Sequence, residues 1–252
     1  MAMIIYPGEK EPYIFAHRGY SSIAPENTLA AFEEAVNRTV PGIELDIHLC
    51  RSGELVVTHD HNLKRVTGYD GLIEELDWDE IKTLDAGSWK SEKYSGEKLP
   101  LLQDVFDLLG SRVYYDIEIK CRKTSRTGIE VKLYKLISEY GLEERCIVSS
   151  FNPMPLKYFK QTASNVPTAI IYTNAAKLPW YLRNGEGRWI AGADILKPHY
   201  KKIRRCFNLF NMLSGDKPFM SWTVDDQDEA QRLLAAGAIG IISNNPNGLF
   251  SG

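Results

Sequence analysis

Short apolar segments alternate with amphipathic segments along the whole chain. In the segments Gly128–Tyr140 and Gln227–Ala236 the apolar residues recur every three or four positions, which predicts helices with one buried face. Gly141 and Gly237 follow these segments and favour helix ends there. The apolar runs predict eight strands: Tyr13–Ala16, Ile43–Ile47, Val113–Ile119, Cys146–Ser149, Pro167–Ile171, Ala193–Leu196, Phe219–Val224 and Ile239–Ser243.

This alternation predicts the fold class. Strands that alternate with helices form parallel sheets covered by helices. Eight such units of uniform composition favour a closed barrel over an open sheet. The length of 252 residues also matches the roughly 250 residues typical of a TIM (β/α)₈ barrel. We therefore predict an α/β protein with a single (β/α)₈ barrel domain over residues 1–252.

One interval between predicted strands is too long for this alternation of strands and helices. Residues 48–112 separate the second and third predicted strands, more than a loop and one helix require. The interval contains a turn-forming sequence at 51–54 and a β-prone run at 55–58, and Leu101–Leu109 is the helix expected to rejoin the barrel. We predict a small subdomain, roughly residues 52–98, inserted after the second strand and lying over the barrel mouth.

Composition narrows the functional classes. The net charge of −3 does not favour a nucleic-acid binder. No signal peptide and no apolar run of about 20 residues is present, so we expect a cytoplasmic protein with no stable membrane anchor. Dinucleotide, P-loop, HExxH and serine-elbow motifs are absent from the sequence. The four cysteines lack CxxC spacing and are expected to be free thiols: Cys50, Cys121, Cys146 and Cys206.

Acidic residues recur at every second position of two predicted strands. Glu44 and Asp46 lie on the second, and Asp116, Glu118 and Lys120 lie on the third. Residues two apart on a strand share a face, so these side chains should line the barrel interior while the isoleucines between them pack outward. Neighbouring carboxylates are tolerable when a cation neutralises them, and oxygen ligands suit Mg²⁺ or Ca²⁺.

We therefore predict that Glu44, Asp46 and Glu118 hold one divalent cation at the mouth. Lys120 would contact a phosphoryl oxygen or act as a counter-ion. Asp116, one layer deeper, is expected to be a structural partner. The alternatives are a solvated strand end and an internal ladder of salt bridges.

Two histidines follow predicted strands. His17 and Arg18 follow the first strand, where arginine suits phosphate oxygens and histidine can move protons near neutral pH. His59 follows the run 55–58, with Asp60 beside it, and gains importance if it faces His17 across the mouth. The other histidines have no such context: His48 and His61 are expected to be structural or solvated, and His199 could line the rim.

Two further segments contribute to the predicted rim. Trp222 ends the seventh strand, where it could contact the carbon skeleton of a substrate or simply pack at the barrel top. Residues 199–210 are basic and aromatic, which is typical of a solvated helix face and, less commonly, of a membrane-surface contact.

In their order along the chain, these blocks closely resemble the glycerophosphodiester phosphodiesterase family, of the bacterial, cytosolic type. The blocks that carry the resemblance are His17-Arg18-Gly19 with Pro25-Glu26-Asn27-Thr28, Glu44-Leu45-Asp46, residues 53–60, Glu118-Ile119-Lys120 and Ser221-Trp222-Thr223-Val224. The resemblance implies a TIM barrel with a small insertion and a divalent cation, Mg²⁺ or Ca²⁺, at its mouth. It also implies hydrolysis of small glycerophosphodiesters to sn-glycerol 3-phosphate and an alcohol, within glycerol and lipid metabolism.

The resemblance also implies roles for individual residues. The matching positions are His17 and His59 for the general acid and base, Glu44, Asp46 and Glu118 for the metal ligands, Arg18 and Lys120 for phosphate binding, and Trp222 for an aromatic that lines the substrate. The family pattern does not decide which histidine is the acid. It also leaves open whether the attacking oxygen is the substrate's 2-hydroxyl, which would give a cyclic phosphate, or water.

The chain departs from the family after the last strand, where acidic residues are usual. Here Asn244, Asn245 and Asn247 are neutral. We expect these asparagines to stay clear of the histidines and acids, and to alter only rim polarity and substrate preference.

Two other functions fit the same residues. A lysophospholipase D- or phosphatidylinositol phospholipase C-like enzyme would need a wide apolar groove beside the mouth. A non-catalytic phosphoester-binding barrel would bind glycerol 3-phosphate without turnover of its diesters, but a binder has no need of two proton-transfer groups.

Overall fold

The computed structural model describes residues 13–176, 178–203 and 217–249. In these ranges the strands are β1 (Tyr13–His17), β2 (Gly42–Leu49), β3 (Leu55–Val57), β4 (Tyr114–Ile119), β5 (Cys146–Ser150), β6 (Thr168–Tyr172), β7 (Ile195–Pro198), β8 (Phe219–Ser221) and β9 (Ala238–Ser243). The order β1-β9-β8-β7-β6-β5-β4-β2 is closed by pairing of β1 with β2, and every pair in this ring is parallel. The prediction of an eight-stranded TIM barrel is confirmed.

Helices cover the outside of the barrel. In the described ranges the α-helices are α1 (Leu29–Asn37), α2 (Lys64–Thr67), α3 (Trp78–Ile81), α4 (Leu102–Leu109), α5 (Ile129–Glu139), α6 (Pro153–Thr162), α7 (Gly187–Ala191) and α8 (Gln227–Ala235). The short 3₁₀ helices there are Ile73–Glu75, Glu92–Tyr94, Gly110–Arg112, Glu143–Arg145, Trp180–Leu182, Tyr200–Lys202 and Pro246–Leu249. The predicted helices at 101–109, 128–140 and 227–236 are confirmed as α4, α5 and α8. Side chains that accept from the first turn begin several of them, for example Thr28 for α1 and Asp226 for α8.

The period of two along the strands separates two cores. Outward residues such as Leu45, Ile117 and Ile119 belong to the large cluster that also contains buried residues of α4 and α5. The lower interior of the barrel is filled by a second group, namely Tyr13, Phe15, Ile147, Ala169, Ile195, Met220 and Ile242. The polar inward residues of the same strands therefore lie above an apolar floor.

Every barrel strand differs from its predicted bounds by at least one residue, including β7 and β8. β7 begins at Ile195 instead of Ala193, because Gly192 ends α7 in the left-handed conformation and the Ala193 N–H closes that helix by donating to the Arg188 carbonyl. β7 then continues past Leu196 to Pro198, which brings Lys197 into the strand. β8 is shorter than predicted and ends at Ser221, with Trp222 forming one isolated bridge to His199.

The interval between β2 and α4 has a small core of its own. β3 pairs antiparallel with the end of β2, so this segment starts as an extension of the barrel sheet. Most of its buried apolar residues form a separate cluster, made of Cys50, Val56, Leu63, Val66, Ile73, Leu76, Ile81, Ala86 and Leu99, whereas Leu55 and Val57 of β3 pack in the large cluster. The fold thus holds His59, which follows β3, on a packed unit beside the end of β2.

The turn after β1 depends on a glycine. Gly19 has φ of +77°, and a Cβ at this position would lie 2.7 Å from the carbonyl carbon and the Cβ of Ala31 in α1. The Tyr20 N–H donates to the Ala31 carbonyl at 2.9 Å, which holds the turn against that helix. Any side chain at position 19 would push the turn and α1 apart.

We expect Gly19→Ala to destabilise the protein more than Gly68→Ala. Gly68 has the same φ of +77°, but a Cβ there would meet no atom within 4 Å, so only the left-handed backbone cost of about 1–2 kcal/mol applies. Gly19→Ala should add roughly 1–3 kcal/mol from overpacking. Urea denaturation followed by circular dichroism measures both losses, and equal losses would contradict the close packing of the turn on α1.

Candidate active site

Three carboxylates meet at the carboxyl ends of neighbouring strands. The parallel register pairs Glu44 with Asp116 and Asp46 with Glu118. Carboxylate oxygens of Glu44, Asp46 and Glu118 lie within 4.8 Å of one another, and all three residues are buried. The structure therefore brings the three predicted metal ligands together at the mouth of the barrel.

The two acids of β2 have opposite pKa shifts. Burial, and next the charge of Asp46, raise the pKa of Glu44 well above its usual range. Burial would also raise the pKa of Asp46, but Lys120 and Arg18 outweigh it and the net shift is downward. Neighbouring cations therefore stabilise the negative charge on Asp46, whereas burial and repulsion from Asp46 disfavour a negative charge on Glu44.

The donor set fits a hard divalent cation. Three carboxylate oxygens at this mutual spacing can approach one ion, and hard cations such as Mg²⁺ and Ca²⁺ prefer oxygen ligands. A divalent charge between the acids would also remove the repulsion that raises the pKa of Glu44.

Both predicted phosphate-binding cations contact these acids. Lys120 Nζ lies 2.6 Å from Glu118 Oε1 and 3.0 Å from Asp46 Oδ1. Arg18 Nε lies 3.5 Å from Asp46 Oδ2, and the Arg18 backbone N–H donates to Glu44 Oε2 at 3.0 Å. Arg18 has φ of +57°, the left-handed region, so the turn after β1 aims both groups at the acids. The positive charges that could receive a phosphate are already at the wall of the acid cluster.

His17 is held by an amide. Its Nδ1 lies 2.7 Å from Asn244 Oδ1, and the Asn244 amide is oriented because its Nδ2 donates to Asp225 Oδ2 at 2.7 Å. The oxygen of Asn244 therefore faces His17, Nδ1 is the donor, and Nε2 keeps its lone pair in the neutral ring. Nε2 lies 3.9 Å from Glu44 Oε2. Burial, and next the charge of Arg18, lower the pKa of His17 to about 4.

His59 is held by a carboxylate. Its Nδ1 lies 2.6 Å from Asp60 Oδ1, and Asp60 Oδ2 accepts from Arg65 Nε at 2.6 Å. The Arg65 guanidinium also donates to both carboxylate oxygens of Glu26 at 2.7 and 2.9 Å, and Glu26 accepts from Arg18 at 2.7 Å. A continuous chain of charged contacts thus joins His59 in the inserted segment to Arg18 beside the acids.

The two histidines share one cavity of about 370 Å³. Trp222 also lines it, with its ring edge-on to Phe151 at 5.5 Å and its Nε1 donating to the Lys197 carbonyl at 2.9 Å. The ring centroids of His199 and Trp222 are 5.2 Å apart. His199 does not line the cavity, so it supports Trp222 from behind.

One expectation about the asparagines was wrong. Asn244 was expected to stay clear of the histidines, yet its amide oxygen is the hydrogen-bond partner of His17. Asn245 is different: its Oδ1 accepts from the Tyr20 hydroxyl at 2.7 Å. The error arose because β1 and β9 are adjacent in the closed barrel, a neighbourhood that the linear sequence does not display.

Three positioning residues were not predicted. Lys197 is 2 % exposed, and its Nζ lies 2.6 Å from Asp116 Oδ2 and 3.1 Å from Ser149 Oγ. Asn27 is buried and donates to Asp46 Oδ2 at 2.8 Å. Lys197 escaped prediction because its strand was ended at Leu196. Glu26 and Asn27 belong to the block 25–28, whose polar residues beside a buried strand were the available signal. Asp116 is the structural partner that was expected.

The remaining predictions concern the whole chain. Cys50, Cys121 and Cys146 are free, as expected, whereas Cys206 and most of the basic segment 199–210 lie outside the described residues. Among the described residues, no helix has the length and apolar character needed to cross a bilayer.

Fold and site together define a class of protein: a (β/α)₈ barrel with buried acids and two histidines at its C-terminal mouth, where the active sites of this fold lie. The sequence model of the Glycerophosphoryl diester phosphodiesterase family matches residues 17–248. The chain therefore belongs to that family.

Individual relatives agree. A glycerophosphodiester phosphodiesterase of Caldanaerobacter subterraneus subsp. tengcongensis is 38% identical over 245 residues, which cover 94% of this chain and 96% of that protein. The structure of an Oleispira antarctica phosphodiesterase in complex with the product sn-glycerol-3-phosphate is similar with a TM-score of 0.79 and 26% identity, over 95% of this chain and 96% of that one. A putative glycerophosphoryl diester phosphodiesterase from Silicibacter pomeroyi has a TM-score of 0.84 at 21% identity, over 98% and 95% of the two chains, and shows the same fold.

We expect Asn244→Asp to raise the pKa of His17. A carboxylate at the Nδ1 partner position stabilises the protonated ring, by about 1–3 pH units when the charges are this close. The neutral amide leaves the depressed value of about 4 in place. An NMR titration of the His17 ring in chelator-treated protein measures the difference.

Asn247→Asp is the matched control. It adds the same charge to the same segment, but the Asn247 side chain donates to the Arg38 carbonyl instead of contacting His17. An equal rise of the His17 pKa in both variants would contradict the assignment of Asn244 as the partner that sets it.

Proposed function

We propose that this protein is a metal-dependent phosphodiesterase that hydrolyses glycerophosphodiesters to sn-glycerol 3-phosphate and an alcohol. The observation that carries the proposal is the meeting of three buried carboxylates and two differently held histidines at one barrel mouth. The sn-glycerol-3-phosphate product bound to the Oleispira antarctica relative supports the same product here. The three cysteines that the structure describes are free, which suits a reducing compartment and supports a cytoplasmic location.

Glu44, Asp46 and Glu118 would hold one Mg²⁺ or Ca²⁺ ion. That ion supplies Lewis-acid chemistry: it neutralises charge on phosphoryl oxygens. Asn27 orients Asp46 for this purpose through its 2.8 Å hydrogen bond. Arg18 and Lys120 already lie at the acids and would turn to the anionic diester when it enters, while Trp222 would pack against its glycerol carbons.

His17 has the properties of the general base. Its ring is neutral near pH 7 because burial and Arg18 depress its pKa to about 4. Its Nδ1 donates to Asn244, so Nε2 carries the lone pair that can accept a proton from the attacking hydroxyl, whether that hydroxyl belongs to the substrate or to water.

His59 has the properties of the general acid. Asp60 accepts from its Nδ1 and fixes the orientation of the ring, as the aspartate of a catalytic triad does. A protonated His59 can give its other ring proton to the departing alkoxide. Two histidines with different partners, an amide and a carboxylate, are thereby suited to opposite proton transfers.

Leaving-group dependence tests this assignment. With an alkyl diester such as glycerophosphocholine, His17→Ala and His59→Ala should each lower kcat by about 10²–10⁴-fold. With a p-nitrophenyl ester, whose leaving group needs little protonation, the loss in His59→Ala should largely disappear, while the loss in His17→Ala should persist. Steady-state release of choline and of p-nitrophenol measures the two losses.

Lys82→Ala is the control, because Lys82 is an exposed residue of the same inserted segment that pairs with Asp79 and lines neither cavity at the mouth. It should keep wild-type turnover in chelated protein resupplied with Mg²⁺. Near-wild-type turnover of His17→Ala or His59→Ala on the alkyl diester would refute the two-histidine mechanism.

Glu44→Gln tests the metal ligands. This variant lacks one carboxylate charge of the cluster. Added Mg²⁺ or Ca²⁺ should therefore activate its turnover much less than that of the wild type, or not at all. An activation curve like that of the wild type would refute the assignment of Glu44 as a ligand.

A second substrate class is favoured by a groove beside the site. A cavity of about 1130 Å³ shares His59, Glu118 and Lys120 with the smaller cavity that both histidines line. It continues over apolar residues, namely Phe151, Met154, Leu178, Pro179, Tyr181, Leu182 and Ile190. Trp180 and Trp189 near this groove are 76% and 62% exposed. We infer that a lysophospholipid could place its acyl chain there, which would make the protein lysophospholipase D-like.

Turnover of lysophosphatidylcholine relative to glycerophosphocholine tests this groove. Ile190→Ser should lower kcat/KM for the lysophospholipid by roughly tenfold, the effect of about 1.4 kcal/mol of apolar contact, and leave glycerophosphocholine unchanged. Val131→Ser is the control, because Val131 is also an exposed apolar residue but lies on α5 and does not line the groove. No lysophospholipid turnover by the wild type would exclude this second substrate class.

A further inference from the structure

A second cluster of ligating side chains lies outside the acid cluster. His48 is on β2, His61 is in the loop after β3, and Glu74 is in the 3₁₀ helix Ile73–Glu75. A ring nitrogen of each histidine and a carboxylate oxygen of Glu74 lie within 4.8 Å of one another. His48 Nδ1 is 3.5 Å from Glu74 Oε1, and His61 Nδ1 contacts the same oxygen. Three successive stretches of the chain thus present two nitrogens and one oxygen to a common centre.

The buried ring of His48 is oriented for ligation. His48 is fully buried, and its Nε2 lies 3.2 Å from the His59 backbone carbonyl, an acceptor that requires a proton on Nε2. Its Nδ1 is then the lone-pair atom. That atom has no hydrogen-bond partner among the described residues and faces the cluster. Metal-binding histidines are commonly held in this way, with the outer ring N–H donating to a backbone carbonyl.

We propose that His48, His61 and Glu74 bind a borderline transition-metal ion of the Zn²⁺ class. Imidazole nitrogen suits Zn²⁺, Ni²⁺ or Cu²⁺, whereas the all-carboxylate cluster at the mouth suits Mg²⁺ or Ca²⁺. The 3.5 Å between His48 Nδ1 and Glu74 Oε1 is close to the ~3.4 Å that separates tetrahedral ligands placed 2.0–2.1 Å from zinc. Glu74 is partly exposed, which leaves access for the ion and for a water as fourth ligand.

The position of the cluster gives this ion a structural task. His48 belongs to the barrel, while His61 and Glu74 belong to the inserted segment, so the ion would tie the two together. The same His48 ring holds the backbone carbonyl of His59. Zn²⁺ would therefore restrain the loop that carries the proposed general acid, and only this last consequence rests on the proposed function.

Calorimetric titration tests the site directly. Chelator-treated protein in excess Mg²⁺, which fills the acid cluster, should bind one Zn²⁺ per chain and show a higher Tm with Zn²⁺ than without it. His61→Ala and Glu74→Gln should each weaken Zn²⁺ binding by more than roughly 100-fold, because loss of an outer hydrogen-bond partner alone costs about 10–100-fold. His199→Ala, which removes a histidine outside the cluster, should bind like the wild type.

Glu44→Gln separates this site from the catalytic one. It should keep the full Zn²⁺ affinity, since Glu44 is not in the cluster, even where it removes the response of turnover to Mg²⁺. In the wild type, ¹⁵N NMR should show Zn²⁺-induced shifts at Nδ1 of His48 and His61, with Nε2 remaining protonated in His48. This second measurement is independent of how well any variant folds.

The outcomes are distinct. Absence of Zn²⁺ binding by the wild type overturns the proposal, as does unchanged affinity in His61→Ala and Glu74→Gln. Loss of the bound Zn²⁺ in Glu44→Gln alone would also overturn it, because the ion would then belong to the acid cluster. None of these outcomes depends on whether the protein hydrolyses diesters.

Discussion

The upper barrel is built around buried negative charge that must be neutralised. Four carboxylates face the interior of two adjacent strands, and they are Glu44, Asp46, Asp116 and Glu118. Unpaired buried charges are strongly unfavourable, so each layer carries its own cation. Lys197 pairs with Asp116 in the lower layer, while Lys120 bridges Asp46 and Glu118 in the upper one. Glu44 lies beside Asp116 in the lower layer and has the raised pKa, which marks it as the position most in need of a further cation.

The alternation of apolar and polar residues was sufficient for the barrel and for its acids. A period of two on β2 and β4 places Glu44, Asp46 and Glu118 on the inner face, and the parallel register then aligns them. Local spacing carries that information. The predicted helices followed equally from their period and from the glycines after them.

Contacts that depend on barrel closure could not be read in the same way. Asn244 meets His17 only because the last strand lies beside the first. Lys197 was overlooked for a more local reason: the preceding helix ends with a hydrogen bond from Ala193, which delays the start of β7 and moves its end to Pro198. A shift of two residues in one strand was enough to hide a buried lysine.

The two histidines have identical side chains, but their different hydrogen-bond partners suit them to different proton transfers. His17 comes from the barrel and faces an amide, and His59 comes from the inserted segment and faces a carboxylate. The sequence placed Asp60 next to His59, but it did not place Asn244 next to His17, because that contact depends on the last strand lying beside the first. Asp225, which fixes the amide of Asn244, comes from yet another loop, the one after β8. The chemical asymmetry of the site is therefore a product of the tertiary structure.

The bidentate pair between Arg65 and Glu26 spans the boundary between the inserted segment and the barrel. One half of this pair travels with the insertion, the other with the turn after β1. If the inserted segment were exchanged with that of a related barrel, the active site would therefore stay intact only when the turn after β1 was exchanged with it. Evolution of new specificity by exchange of this segment is therefore constrained by the match between this guanidinium and this carboxylate.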